Sequence, residues 1–93
     1  MLFEWDPAKN ERCLRERGFA FVDIVPAFAV PDRHVEWDDR FDYGEPRFRL
    51  FGRVRGRLYV VVFTYRGAIC RIISARKANA HERQAHDARA PRR

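Results

Sequence analysis

The chain has 93 residues, enough for one domain with a single hydrophobic core and too few for two. Its composition is 46% hydrophobic and 14% aromatic, which excludes a disordered chain. The net charge of +6 is unevenly distributed, because residues 1–46 carry six Lys/Arg and eleven Asp/Glu whereas residues 47–93 carry thirteen and two. A half-chain this basic favours binding to a polyanion, with nucleic acid as the first candidate. Charge alone leaves open three alternatives: an acidic partner protein, an anionic membrane, or a basic surface that only keeps the protein soluble.

The sequence also bears on the cellular compartment. Cys13 and Cys70 form neither a C-x-x-C motif nor a disulfide framework. The N-terminus MLFEWDPAKNE has an early acidic residue and lacks the apolar segment of a signal peptide. The longest apolar run, LYVVVF at 58–63, is far too short to cross a bilayer. We therefore expect a cytoplasmic protein with reduced thiols and no membrane partner.

Two helices are predicted in the first third of the chain. Asp6 can cap the first helix, Pro7 suits its first position and Gly18 follows its end. The second helix is expected to begin near Asp23. This start places Pro26 in the first helical turn, where no backbone donor is required.

A sheet is predicted next. A short edge strand is expected around His34–Trp37, followed by an exposed acidic loop. Three stronger strands have the sequences RFRLFGRV, RLYVVVF and AICRIISA, and the second is apolar on both faces, as is typical of a central strand. Gly56 and Gly67 lie in short joints, which predicts two tight hairpins and an antiparallel meander.

The chain is expected to end in a third helix. Asn79 and Glu82 have the spacing of a capping box at its start, and residues from about 88 to 93 should form a frayed tail. The predicted fold class is therefore α+β: two N-terminal helices, an antiparallel sheet of three or four strands, and a C-terminal helix. We expect a single domain over residues 1–93, with the helices mainly on one face of the sheet.

The sequence gives little support for metal or nucleophilic chemistry. The stretch HERQAH resembles the zinc motif H-E-x-x-H, but its histidines at i and i+5 lie about 140° apart around a helix and cannot share one metal ion. Ser74 is the only serine and has no glycine elbow beside it. The glycines are scattered, so no phosphate-binding loop is present. We expect neither a metal ion nor a cofactor.

The stretch RIISARKANAHE contains three cations where the last strand meets the last helix: Arg71, Arg76 and Lys77. The basic half of the chain offers only Glu82 and Asp87 as local partners, so some of its cations should face water or bind phosphate. The alternative is that Arg71 pairs with an acid from the first half, such as Glu45 or Asp42.

Such a cluster suits RNA cleavage, which needs no metal ion because the ribose 2′-OH can attack the neighbouring phosphate. Arginine and lysine stabilise the charge that develops on the phosphorane, and a carboxylate or histidine can move protons. A basic sheet face with Glu45 at its rim and His81 nearby would supply these groups. Without the proton-transfer groups, the same face would be only a binding site.

Three segments carry a resemblance to a known family: FEWDPAKN at 3–10, GEPRFRLFG at 44–52 and GRLYVVVFTYRGAICRIISARKANAHER at 56–83. They resemble the BrnT toxins of bacterial type II toxin–antitoxin systems, which share a W-D-P-x-K block, a central G-E-x-R and a terminal R-I-I-S-A-R-K-A. The resemblance implies a RelE-like fold and a ribonuclease that arrests translation. It also implies a BrnA antitoxin with a ribbon-helix-helix part, a heterotetrameric complex, and contact with operator DNA only through the antitoxin.

The motifs and the resemblance together suggest the candidate site residues. We expect Glu45 to act as general base and three arginines to hold the scissile phosphate: Arg47, Arg71 and Arg76. Four further residues are expected to bind flanking RNA: Lys9, Lys77, His81 and Arg83.

Three positions depart from the family pattern. Arg17 stands where histidine is frequent, Pro26 interrupts a helix that usually has no proline, and His86 stands where tyrosine is common. His86 is expected to be a solvated helix residue. These departures leave two alternatives to an active ribonuclease: a degenerate toxin that folds without cleaving, and a basic module that binds nucleic acid or an acidic partner.

Overall fold

The computed structural model describes residues 1–89. Its strands and helices follow one another as β1 (Leu2–Trp5), α1 (Pro7–Arg17), α2 (Phe21–Ile24), a 3₁₀ helix (Val25–Ala29), β2 (His34–Trp37), β3 (Phe48–Val54), β4 (Arg57–Arg66), β5 (Ile69–Lys77) and α3 (Ala80–Arg89). The strands form one sheet in the order β1-β5-β4-β3-β2. The predicted α+β class is confirmed.

The sheet has five strands and is mixed, so the predicted arrangement of three or four antiparallel strands is only partly right. Strands β2 to β5 are antiparallel neighbours, as expected for a meander. Strand β1 was not predicted; it runs parallel to β5, with Phe3 opposite Cys70. Four residues that pair with a strand far along the chain show too little periodicity to be recognised from the sequence.

The hairpin between β3 and β4 has the predicted tight turn. Arg55 and Gly56 both have positive φ angles, 53° and 78°, which is the conformation that a two-residue type I′ turn requires. Gly67 likewise has a φ of 61° in the turn between β4 and β5. These turns align three long strands, from which the site described below is built.

The N-terminal helix has the predicted boundaries. The Asp6 carboxylate accepts a hydrogen bond from the Ala8 amide at 2.9 Å, and Gly18 ends the helix in the left-handed conformation. The second helix is shorter than expected and starts earlier. Asp23 accepts a bond from the Ala20 amide at 2.8 Å, so it lies inside the first turn of α2 rather than before it. Pro26 lies in the first turn of the following 3₁₀ helix.

Helices cover both faces of the sheet, which corrects the expectation that they lie mainly on one. The main core lies between the N-terminal helical segments and one sheet face, and it includes Phe21, Ile24, Val61 and Ile72. A smaller core on the opposite face, built around Leu58, Val60 and Ala78, lies at the end that α3 covers. Strand β4 is apolar on both faces and therefore needs cover on both.

The start of α3 is the predicted capping box. The Glu82 amide donates to Asn79 Oδ1 at 2.8 Å, and the Asn79 amide donates to Glu82 Oε1 at 2.9 Å. The helix includes residues 88 and 89, and the remainder of the expected frayed tail lies outside the described residues. Within residues 1–89, no helix is both long enough and apolar enough to span a membrane.

Candidate active site

Arginines line the sheet face opposite α1 and α2. Residues that oppose each other in antiparallel strands share a face, and the register places Arg49 opposite Val62 and Arg71 opposite Thr64. The helix α3 covers one end of this surface and leaves the rest open. We call this surface the arginine face and define it by four residues: Arg47, Arg49, Arg71 and Arg76.

A β-bulge brings Arg71 and Arg76 onto the same face. In a regular strand, residues five positions apart point to opposite faces. The pairing of β5 with β4 skips Ile73, because consecutive residues of β4 oppose Ile72 and Ser74. The extra residue resets the alternation along β5, which is a known use of bulges near functional sites.

The segment that carries Glu45 and Arg47 is fixed beside Arg71. The hydroxyl of Thr64, the strand neighbour of Arg71, donates to the Pro46 carbonyl at 2.5 Å. Thr64 is buried, and sequence reasoning assigned it no role although it lies in the segment at 56–83 that resembles the family. The structure therefore places the chain segments of three of the four predicted catalytic residues, Glu45, Arg47 and Arg71, next to Thr64.

The Glu45 carboxylate lies between two cations. Its oxygens are 3.6 Å from Arg47 Nε and 3.6 Å from Arg66 Nη2. The Arg47 guanidinium also lies over the Tyr43 ring, 4.0 Å from its centroid. A stacked, partly buried guanidinium next to a carboxylate has its orientation fixed before any ligand arrives.

Arg76 is held by more hydrogen bonds to a carboxylate than the other three residues of the arginine face. Its two terminal nitrogens donate to the two carboxylate oxygens of Glu82 at 2.7 and 2.8 Å. These hydrogen bonds, despite desolvation, lower the pKa of Glu82 to about 2. Because Glu82 also closes the capping box, Arg76 links the end of β5 to the start of α3.

Some cations of the basic half are exposed and form no ion pair among residues 1–89, as expected (Arg55, Arg57 and Lys77), but several arginines of the sheet pair with acids of the first half. Arg71 Nη1 lies 3.0 Å from Glu4, and Arg49 Nη2 lies 3.1 Å from Glu36. Pairing of Arg71 with an acid of the first half was the stated alternative, but its partner is Glu4 on β1 rather than one of the acids considered. Sequence reasoning could not identify this pair because β1 was not recognised as a strand.

The four predicted RNA-binding residues do not lie together. Lys9 on α1 lines a groove beside β5, and Lys77 points to the α1 side of the sheet, opposite Tyr59. His81 and Arg83 lie on α3, and Arg83 also donates to the Ala78 carbonyl at 3.1 Å. The side chains of the four residues are exposed, but Lys9 and Lys77 lie on the α1 side of the sheet and only His81 and Arg83 lie on the helix that borders the arginine face.

The three departures from the family pattern have distinct structural settings. Arg17 donates to the Ala75 carbonyl at 2.8 Å, which satisfies a backbone group of β5 beyond the end of β1. Pro26 starts the 3₁₀ helix. His86 is buried, with a side chain that is 3% exposed, so the expectation of a solvated residue is wrong.

The thiols and potential metal ligands are placed as follows. Cys13 and Cys70 are buried, and desolvation raises both pKa values, that of Cys70 to about 11. Both thiols are therefore protonated and poor nucleophiles at neutral pH. Among residues 1–89, no three His, Cys, Asp or Glu side chains are placed to hold a metal ion.

The domain is small and α+β, and arginines and a carboxylate lie on one open face of its sheet. Side chains of these types are typical of proteins that act on phosphate groups. The comparison with protein families identifies which class this is. The model of the ribonuclease toxin BrnT of type II toxin–antitoxin systems matches residues 5–82, which include the W-D-P-x-K, G-E-x-R and R-I-I-S-A-R-K-A motifs.

The chain therefore belongs to the BrnT family of ribonuclease toxins. Membership implies RNA as the substrate class and an antitoxin as the partner. None of the curated proteins compared with the chain matches it.

Proposed function

We propose that the protein cleaves RNA on the arginine face without a metal ion. The observation that carries the proposal is the arrangement of Glu45, Arg47 and Arg71 around Thr64. The ribose 2′ oxygen attacks the adjacent phosphorus, its proton passes to Glu45, and the bond to the 5′ oxygen breaks. The departing 5′ oxygen takes a proton from water, so the products are a 2′,3′-cyclic phosphate and a 5′-hydroxyl end.

The arginines hold the phosphate and stabilise the phosphorane. The pair between Arg71 and Glu4 is partly exposed, with side chains 27% and 35% accessible, so phosphate can displace the carboxylate at a cost of about 0.2–1 kcal/mol. Arg76, held by two bonds to Glu82, contributes charge and fixes the rim of the face. Glu45 is 28% exposed, which leaves its carboxylate accessible to a ribose hydroxyl.

The surrounding cations bind the flanking RNA. Their wide separation favours an extended strand that passes over the edge of β5 and along α3. Each phosphate neutralised in this way adds to the salt dependence of binding. The residues in this role are Lys9, Lys77, His81 and Arg83.

The antitoxin that neutralises the protein is, in this proposal, a BrnA-type protein with a ribbon-helix-helix part. An acidic segment of the antitoxin covers the arginine face and replaces RNA there. The complex is a heterotetramer and reaches operator DNA only through the antitoxin. Arrest of translation in the cytoplasm follows from RNA cleavage once the antitoxin is lost.

Expression without antitoxin tests the toxin, and purified protein in EDTA tests the mechanism. The wild type should stop growth and cleave RNA in EDTA, whereas Arg71→Ala should lose both activities. The control Arg15→Ala removes an exposed arginine of α1 that has no ion pair within residues 1–89. Cleavage that EDTA abolishes, or full activity of Arg71→Ala, would refute the mechanism. Intact RNA with tight, salt-sensitive binding would instead identify a degenerate toxin or a binding module.

A further inference from the structure

A cavity separates α3 from the outer strands of the sheet. It has a volume of about 260 Å³ and opens next to the arginine face, with which it shares Arg49. Its walls come from both elements. The sheet contributes His34, Glu36, Arg49 and Phe51, and the helix contributes His81, Glu82, Ala85, His86 and Arg89.

Two buried groups of this cavity lack hydrogen-bond partners among residues 1–89. The Arg49 Nε atom is buried without an acceptor, although its Nη2 binds Glu36. Neither ring nitrogen of His86 is hydrogen bonded, and its Nε2 lies 3.6 Å from Asp32 Oδ2, too far for a hydrogen bond. Unpaired buried polar groups are rare because each loses the hydrogen bonds that it makes with water in the unfolded chain. A ligand that supplies acceptors would satisfy these donors.

The shape of the cavity favours a flat ligand. The rings of His34 and Phe51 lie 6.1 Å apart at an interplanar angle of 32°, and they provide an aromatic wall. The volume is below the roughly 300–1,000 Å³ typical of whole small-molecule sites, so it suits a single ring system. Proteins that read single-stranded RNA stack unpaired bases on such aromatic side chains and bind the base edges with polar groups.

We propose that this cavity binds one base of the RNA substrate and selects guanine. Guanine presents two neighbouring acceptors, O6 and N7, whereas adenine presents an acceptor and a donor on the same edge. Arg49 Nε is a donor, and His86 supplies a second donor from either tautomer. The inference rests on the proposed function, because the base would belong to a strand whose phosphate lies on the arginine face.

The charges around the cavity favour RNA over an acidic antitoxin side chain as its occupant. Two carboxylates, Glu36 and Glu82, and two arginines, Arg49 and Arg89, line it, so its formal charges balance and do not attract an acid. A neutral base needs no such attraction. The aromatic wall likewise offers more to a ring than to an aspartate or glutamate side chain.

The test uses purified wild-type toxin, a randomised RNA in EDTA, and sequencing of the cleaved ends. Guanine should be enriched at one fixed position beside the cut. Ala85→Phe fills the cavity from an exposed helix position, and it should reduce the ratio of kcat/KM values for guanine over adenine substrates by roughly 5–150-fold. Ala88→Phe is the matched control, because it is the same change on an exposed position of α3 that does not line the cavity. Thermal unfolding of both variants checks that they fold.

A second measurement does not depend on cleavage. In wild-type protein, 5′-GMP should shift the amide resonances of Phe51 and Ala85 more than 5′-AMP does. Cleavage without base preference, or a preference that survives in Ala85→Phe, overturns the cavity assignment and leaves the ribonuclease proposal intact. If Ala85→Phe keeps the base preference but fails to bind antitoxin, the cavity belongs to the antitoxin and the inference is wrong. If no RNA is cleaved, the proposed function fails, and the nucleotide titration alone decides whether the cavity binds guanine.

Discussion

Replacing Glu82 with glutamine should destabilise the protein in a pH-dependent way. Glutamine can still accept the hydrogen bond from the Asn79 amide, so the substitution removes mainly the charged pair with Arg76. The fall in the Glu82 pKa from 4.5 to about 2 corresponds to at most about 3 kcal/mol of stability. Because the Arg76 side chain is 42% exposed, solvent screening reduces the expected loss to about 1–2 kcal/mol. In a domain of this size, the melting temperature should fall by roughly 5–15 °C.

The sign of the pH dependence follows from the lowered pKa. A carboxylate with a depressed pKa stabilises the folded state above its unfolded value of 4.5, and that stability is lost as the pH falls towards 2. Urea unfolding of wild type and Glu82→Gln at pH 7, 5, 4 and 3 should therefore give a difference that is full at pH 7 and about two-fifths as large at pH 3.

Two comparisons make this test specific. Glu11→Gln removes an exposed carboxylate of α1 that has no ion pair within residues 1–89, so it should change stability by less than about 0.5 kcal/mol. A double-mutant cycle with Arg76→Gln should give a coupling energy close to the loss in Glu82→Gln. An equal destabilisation at pH 7 and pH 3, or a coupling near zero, would show that Glu82 acts only as a helix cap.

Three further outcomes follow from the contacts described. Glu4→Gln releases Arg71 from its 3.0 Å ion pair and should tighten RNA binding about 2–5-fold in fluorescence anisotropy, whereas weaker binding would show that Glu4 is needed to orient the arginine. Gly52→Ala places a methyl group 2.7 Å from the Ala27 carbonyl oxygen and should lower the free energy of unfolding by about 1–3 kcal/mol; an unchanged denaturation curve would contradict that close approach. Burial raises the pKa of Cys70 to about 11, so its thiol should react with a labelling reagent at pH 8 only at the rate of unfolding, and immediate labelling would refute its burial.

Features set by neighbouring residues were predictable from the sequence, and those set by distant pairing were not. Asp6 and Gly18 mark the ends of α1 because capping depends on backbone groups within one turn, and the same holds for the start of α3. Strand β1 could not be recognised from the sequence because its pairing with β5 depends on distant residues. The bulge at Ile73 could not be predicted either, because it depends on pairing with β4. Strand alternation alone would place Arg71 and Arg76 on opposite faces.

The sequence indicates which residues form the candidate site, but it does not indicate which ion pairs those residues make. The motifs single out Glu45, Arg47 and Arg71, and the structure places them together around a buried threonine. Counting charges within the second half of the chain could not reveal that acids from the first half pair with its arginines. The burial of His86 likewise depends on which sheet face α3 covers, which helix periodicity does not determine.

The parallel pairing of β1 with β5 has a consequence for the order of events during synthesis. The first strand leaves the ribosome well before its partner, residues 69–72, is made. Contacts between such distant segments form late, because the intervening chain must be present before they can close. Glu4 and Arg71 can therefore meet only after β5 has been made. A product of premature termination before β5 would lack Arg71 and Arg76, and with them half of the arginine face, so its synthesis should be harmless to the cell that makes it.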